Sequence, residues 1–552
     1  MTIKHLPGGR RVLAGAAALA VGFVGFGSAT YADPALAPGN IQMPGSGASL
    51  TIHKHIDGSQ TPQGTPDGKT QVDGTGVEGV QFTLYPITNL DLTTQAAWNG
   101  LKDMPVPADA CNNPVSLKLP NDANPSVYDK PATFGAPVVS GLTAADGTVK
   151  VSGLEIKGYL VCETKAPANI VQKAAPFFVT IPFPNNTANA ANGDGEWLYD
   201  VHVYPKNKPV DKPTKDVVVS NNGLVNEGQL TYTVSQKVPE LGAGYSFKYF
   251  IIGDKMSAGQ DAEPSNVDSV KLDDGTVLGY TTKKGADGKL YVSLDKAALE
   301  TLKTKAGKTV VVTFKTKATQ IGLLDNWAQS YVKSVPGDTP PPPEEPPGDD
   351  EPQPTNKVVT SWGDVIIEKH DQDNQKKLAG ATFEVYNAKA AYDGTCTKEL
   401  EGNALVVNGK SKFTTGVDGT VKIDGLFVDQ GKASQKEAGG KPVFEADGTT
   451  PVYNDPAWDH NNTHRCYVLK EVAAPAGYTL PTGDNALTAV KVTPDATAVG
   501  SFDAQVPNIK QDVPGLPLTG ANGQLLMTIG GASLILIAAG ATLVARRRRE
   551  QG

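Results

Sequence analysis

Apolar and polar residues alternate along much of the chain in runs of four to eight positions. Leu50 to His55 reads LTIHKH, Thr148 to Leu154 reads TVKVSGL, and Leu230 to Val238 reads LTYTVSQKV. In a strand, side chains at i and i+2 share a face, so this spacing predicts half-buried β-strands. Asp-Gly and Pro-Gly pairs bound the runs, as hairpin turns require. The elements predicted are short antiparallel strands packed as β-sandwiches.

Two stretches break the alternation. Val12 to Gly27 (VLAGAAALAVGFVGFG) is continuously apolar and follows Lys4, Arg10 and Arg11. With Thr30-Tyr31-Ala32 behind it, residues 1–32 read as a secretory signal cleaved after Ala32. At the other end, Leu525 to Ala545 is a run of 21 largely apolar residues, long enough to span a bilayer. Arg546 to Arg549 follow and predict a cytoplasmic end.

The pattern also repeats at long range. DGTVKVSGL at 146–154 returns as DGTVKIDGL at 418–426, and YLVCETKAPA at 159–168 as YVLKEVAAPA at 467–476. Gly79, Phe82 and Tyr85 recur as Gly380, Phe383 and Tyr386, and LTIHKH at 50–55 as VIIEKH at 365–370. The matches keep their order, so two domains are homologous, and the period is too long for a solenoid. The expected division is 33–207, a different sandwich at 208–360, and 361–510, with 511–552 as a C-terminal segment. Thr339 to Pro354 (TPPPPEEPPGDDEPQP) reads as an extended acidic loop or linker.

Composition narrows the function. The 552 residues carry a net charge of −8, which excludes a basic nucleic-acid binder. The 59 Gly and 41 Pro lack a period of three and so mark turns rather than collagen. Seven His form no strong metal-ligand spacing, and neither a GxSxG elbow nor a P-loop is present. No enzyme, metal or cofactor is expected.

Strand parity brings a further pattern. Lys54 is in phase with Leu50 and Ile52, Glu163 with Tyr159 and Val161, and Asn207 with Val201 and Val203. Lys369, Glu471 and Asn508 repeat the arrangement with Val365 and Ile367, Tyr467 and Leu469, and Phe502 and Val506. Each repeated domain therefore aims one Lys, one Glu and one Asn at its core, where an unpaired charge is costly. A buried Lys–Glu ion pair is one solution. A Lys–Asn isopeptide bond is another: a desolvated Lys loses its proton and attacks the Asn carboxamide, which the acid polarises, and ammonia leaves.

Motifs at these positions carry a resemblance. Leu516-Pro517-Leu518-Thr519-Gly520, the apolar run and the Arg tail resemble the cell-wall sorting signal of Gram-positive surface proteins. That likeness implies sortase cleavage between Thr519 and Gly520 and a transient membrane stage. Tyr467, Leu469, Glu471, Ala474, Pro475, Gly477 and Tyr478 match the E-box YxLxExxAPxGY of Cna-B type domains. The first copy keeps Tyr159, Glu163, Ala166 and Pro167 but lacks the Gly-Tyr. The middle region resembles the Cna-A type, which implies a Lys215–Asn326 bond promoted by Asp254. Trp197 to Lys206 match the pilin motif WxxxVxVYPK, with Lys206, His202 and Tyr204 expected to face solvent.

Together the chain resembles a major shaft pilin (fimbrillin) of the actinomycete and corynebacterial kind. The resemblance implies an all-β fold of three tandem immunoglobulin-like sandwiches, Cna-B-like, Cna-A-like and Cna-B-like. It implies intramolecular bonds Lys54–Asn207, Lys215–Asn326 and Lys369–Asn508, promoted by Glu163, Asp254 and Glu471. It also implies a polymer in which Lys206 is joined to Thr519 of another copy. The partners implied are a pilin-specific sortase, further copies, a housekeeping sortase with peptidoglycan, tip and base pilins, and host or partner-cell ligands. The location implied is the fimbrium, anchored to a Gram-positive wall. A monomeric wall-anchored adhesin stalk is the competing reading. Four Cys allow three pairings; Cys111–Cys162 with Cys396–Cys466 needs no crossing between domains.

Overall fold

A computed structural model describes residues 41–511, apart from 60–67, 190–193, 221–227, 343–350 and a few shorter gaps, and scattered helical residues between 528 and 547. The signal segment, Thr519 and Gly520 lie outside the described residues. So does much of 525–545, and among the described residues no helix is long and apolar enough to cross a membrane.

Numbering only the principal strands, the first unit contains β1 (Ala48–His53), β2 (His55–Ile56), β3 (Gln81–Pro86), β4 (Val138–Leu142) and β5 (Thr148–Leu154). It continues with β6 (Lys157–Lys165), β7 (Ile170–Gln172), β8 (Phe177–Ile181), β9 (Asp200–Val203) and β10 (Lys206–Pro209). One layer has the order β9-β1-β5 and the facing layer β8-β6-β3-β4, while β10 lies between β2 and β7. The alternating residues Leu50, Ile52, Phe82, Leu84, Val149, Val151, Val201 and Val203 meet between the layers. First and last strands run parallel: Leu50 pairs with Val201, His55 with Lys206 and Ile56 with Asn207.

The middle unit has one layer of β11 (Thr214–Val219), β12 (Gln229–Lys237), β14 (Val267–Leu272) and β17 (Thr309–Lys317). Its facing layer holds β13 (Tyr245–Met256), β15 (Tyr280–Lys284), β16 (Leu290–Leu294) and β18 (Gly322–Pro336). The helix α1 (Lys296–Leu302) starts where the Asp295 carboxylate accepts from the Ala298 amide, and it sends Leu299 and Leu302 into the core.

The third unit is built from β19 (Lys357–Asp371), β20 (Thr382–Ala388), β21 (Thr420–Ala433), β22 (Arg465–Ala473), β23 (Leu487–Val492) and β24 (Ala504–Asn508). β19 pairs with β21 and runs parallel to β24, and β20-β22-β23 faces them.

The expected junction at 360/361 falls inside a strand. β19 pairs with β18 through residues 358–362 and with β21 along most of its length, so one sheet runs from the middle unit into the third. Val358 and Trp362 belong to the middle core, whereas Val365 and Ile367 belong to the third. The acidic Pro-rich stretch also differs from a free linker, because Gln353 and Pro354 pair with Ser330 and Gln329 of β18. The first unit is tied on as well: Lys333 Nζ donates to the Ile170 carbonyl at 2.9 Å and Ser334 Oγ to the Val171 carbonyl at 3.0 Å.

Candidate functional site

Lys54 and Lys369 are each held by backbone before their side chains are considered. The repeated Asp-Gly turn performs the same task twice. Gly147 and Gly419 have φ of +81° and +73°, a region that favours glycine. Their carbonyls accept from the amides of Lys54 and Lys369, both at 2.8 Å. A β-carbon at Gly147 would lie 2.2 Å from the Lys54 carbonyl oxygen. The turn recognisable in the repeat is thus what seats the lysine, a role that sequence reading missed although the repeat carried the signal.

In the third unit the three side chains meet. Lys369 Nζ donates to Asn508 Oδ1 and to Glu471 Oε2, each at 2.7 Å, and Asn508 Nδ2 donates to Glu471 Oε1 at 2.7 Å. Lys and Asn come from the neighbouring parallel strands β19 and β24, and the acid reaches over from the facing strand β22. Phe383 lies under the amine at 5.8 Å. Lys369 is fully buried, and that burial lowers its pKa against the opposing pull of Glu471. Tyr478, the last E-box residue, donates its hydroxyl to Asp371 at 2.7 Å, at the end of the lysine's own strand.

The first unit repeats this layout with a looser contact. Lys54 Nζ is 3.1 Å from Glu163 Oε2, and Asn207 Nδ2 donates to Glu163 Oε1 at 2.9 Å. The Ala174 amide donates to Glu163 Oε2 at 2.9 Å and fixes the carboxylate. Asn207 Oδ1 is buried with no hydrogen-bond partner. Burial pushes the Lys54 amine down to about 8, with Glu163 pulling the other way.

The middle unit places its groups across the sandwich. Lys215 stands on β11 in one layer, and Asp254 and Asn326 stand on β13 and β18 in the other. Lys215 Nζ bonds Asp254 Oδ2 and lies 4.8 Å from the Tyr232 ring and 5.7 Å from the Phe314 ring. Burial lowers the Lys215 pKa and raises that of Asp254, each opposed by the attraction of the other. Asn326 Nδ2 meets Met256 Sδ at 2.9 Å, and its Oδ1 is buried without a partner.

A buried ammonium–carboxylate pair costs several kcal/mol per ion in lost hydration. Proton transfer within the pair relieves that cost and yields what amide exchange needs, a neutral amine and a carboxylic acid. The amine can then attack Asn Cγ, and the carboxyl can carry a proton to Nδ2 so that ammonia departs.

Lys206 occupies β10 next to Asn207, and successive side chains point to opposite faces. Lys206, His202 and Tyr204, expected to face solvent, are half-buried. The reason is aromatic packing: His53 stacks on Tyr204 at 4.8 Å and on His202 at 5.1 Å. Val201 and Val203 of the same motif fill the core, and Trp197 packs on Trp98 at 5.2 Å.

Cys111 bonds Cys162 and Cys396 bonds Cys466, with Cα separations of 5.5 and 5.4 Å. Among the described residues, the group of potential ligands close enough to share an ion is Cys396, His464 and Cys466. Its two sulfurs are joined in the disulfide, so it does not offer a thiolate set.

Three family descriptions match the chain: a Gram-positive pilin subunit D1 N-terminal domain at 45–208, a prealbumin-like fold domain at 363–432, and an LPXTG cell wall anchor motif at 508–551. A fimbrial subunit type 2 of Actinomyces naeslundii is 39% identical over 561 residues, covering 98% of this chain and 97% of that one. A fimbrial subunit type 1 of Actinomyces viscosus is 27% identical, covering 95% and 94%. The full-length major pilin SpaD of Corynebacterium diphtheriae superposes with a TM-score of 0.53 at 29% identity, covering 84% of this chain and 98% of that one. The two relatives are named as fimbrial subunits and the solved structure as a major pilin. The chain therefore belongs to the fimbrial subunit family of Gram-positive pilins and is a major subunit of a sortase-anchored, wall-bound pilus.

Proposed function

We propose that this subunit polymerises covalently through Lys206 and Thr519 and that Lys–Asn bonds close its three sandwich domains. In this reading the domains are 33–207, 208–360 and 361–510, mechanically joined by the shared strand β19. A pilin-specific sortase holds Thr519 of one copy as a thioester, and Lys206 of the next copy attacks it. The housekeeping sortase joins the finished polymer to peptidoglycan, and tip and base pilins end it. Adhesion is a secondary role, with the long loops of the third domain as its surface.

One observation carries this reading. On the terminal strand β10, Asn207 turns inward to Glu163 and Lys54 while Lys206 turns to the outer face. The same strand end therefore offers a buried amide for internal closure and an accessible amine for assembly. Each copy then offers one donor and one acceptor at different points of the chain, and such heterologous contacts give an open filament. The test is electrophoresis of boiled wall extracts. Wild type gives a ladder of detergent-resistant multimers, and Lys206→Ala collapses it to monomer. A wild-type wall carrying monomer alone would favour the single adhesin stalk.

A further inference from the structure

Three of the seven histidines lie with Lys206 on the strand faces turned away from the first unit's core, and two of them, His53 and His55, are buried there. His53 and His55 alternate on β1 and β2, and His202, Tyr204 and Lys206 alternate on β9 and β10. His53 Nε2 and His202 Nδ1 share a hydrogen bond at 2.9 Å, and His53 stacks on Tyr204. The His55 ring lies 5.9 Å from that of Tyr204. His55 is also the register partner of Lys206 across the parallel pair, about 4.8 Å away in backbone spacing. An imidazole, not a carboxylate, is thus the group set opposite Lys206 on this face.

The charged groups around this column are otherwise arranged in pairs. Lys150 and Asp200 bond at 2.7 Å, and Lys208 lies 3.5 Å from Asp57. Lys54 faces Glu163 on the inner side. Asp146 and Asp73 approach His53 and His55 from neighbouring turns. Lys206 has no ion pair with any described carboxylate; its strand partner is an imidazole. A carboxylate would hold an ammonium in its charged form, whereas a neutral imidazole can take a proton from it.

We propose that His55 receives the proton that Lys206 must lose before its amine is acylated, and that the His53–His202–Tyr204 stack holds His55 in position. This rests on the reading of Lys206 as the acceptor. The step balances. The Lys206 ammonium gives one proton to His55, and its freed Nζ attacks the Thr519 carbonyl of the sortase thioester. The N–C bond forms and the C–S bond breaks; the second Nζ proton goes to the departing thiolate, and His55 returns its proton to water. Burial, reinforced by the neighbouring Lys206 cation, holds His55 below the usual imidazole range, with Asp73 opposing. It is therefore neutral at neutral pH, the form that can receive the proton as the N–C bond forms.

The test uses the full mature chain, a pilin sortase and a donor peptide containing LPLTG, with the labelled lysine mapped by mass spectrometry from about pH 6 to pH 9. In wild type the label falls on Lys206. His55→Gln is expected to slow labelling about a hundredfold near neutrality, the lower end of the range for proton-transfer catalysis, and to converge with wild type at alkaline pH. His202→Phe keeps the stack and leaves His55 in place, and is expected to lose less than threefold. Retention of the disulfides and of the ammonia loss checks that each variant is folded. An unchanged pH profile in His55→Gln overturns the proposal, as does an equal loss in His202→Phe, which marks a purely structural role. Labelling of another lysine, or persistence in Lys206→Ala, overturns instead the reading of Lys206 as acceptor.

Discussion

A lysine withdrawn from water sheds its proton more readily, because hydration no longer stabilises the ammonium. Lys54, Lys215 and Lys369 are all fully buried, and each faces a carboxylate and lies near an asparagine. If the third cluster closes, Glu471→Gln removes the proton carrier, and the intact mature protein becomes heavier by one retained ammonia, once the lighter Gln is allowed for. High-resolution mass spectrometry reads this directly. A second expectation concerns Asn207→Ala, which leaves Lys54 as a free amine. Its folded pKa of about 8 lies below the 10.5 of an open lysine. Between those values the unfolded chain binds the proton and the folded chain does not, so stability rises with pH. That contribution is lost as pH falls towards 8. Melting curves of the variant should show this slope, and those of wild type, with the amine consumed, should not.

Strands carry the clusters into contact, and β19 does so for two units at once. Its Trp362 is fully buried in the middle core and meets Phe427 at 5.4 Å, while Ile367 and Lys369 belong to the third unit. Truncation to Trp362→Ala should cost about 3–5 kcal/mol, measured by denaturant unfolding. The loss should destabilise the middle unit and weaken its coupling to the third. Gly363 gives the matching steric test. A β-carbon there would lie 1.9 Å from the Thr493 carbonyl oxygen, so Gly363→Ala must displace backbone and lower the melting temperature. The alternation of Val365, Ile367 and Lys369 was legible from spacing alone. The continuity of β19 was not, because two apolar patterns of different units meet in one strand, and spacing records only which face is buried.

At the scale of the molecule, the proposed cross-links would decide which residues bear force. If Lys206 is the attachment point, tension entering there and leaving beyond residue 511 passes along β19 and β24, which lie side by side and parallel. A Lys369–Asn508 bond would take residues 370–507 out of that path. Pulled between these points, wild type should show no unfolding step from the third unit. Asn508→Ala should release one of roughly 230 Å with the Cys396–Cys466 loop of 70 residues closed, and roughly 460 Å after reduction. Single-molecule force spectroscopy measures both lengths, and a long step in wild type would exclude the bond.

The sequence by itself determined the β class, the duplicated domain, the phase of the Lys, acid and Asn residues, and the pilin and sorting motifs. All of these are local patterns, fixed by a period of two along a strand or by a contiguous string. Tertiary structure decided what lies between distant strings: that β19 belongs to two cores, that the middle cluster crosses between sheets, and that the third triad is in full contact. It also decided that Lys206 stands beside His55. Phase sets the face on which a side chain emerges, but only the register of parallel first and last strands, nearly a whole domain apart in sequence, brings those two residues together.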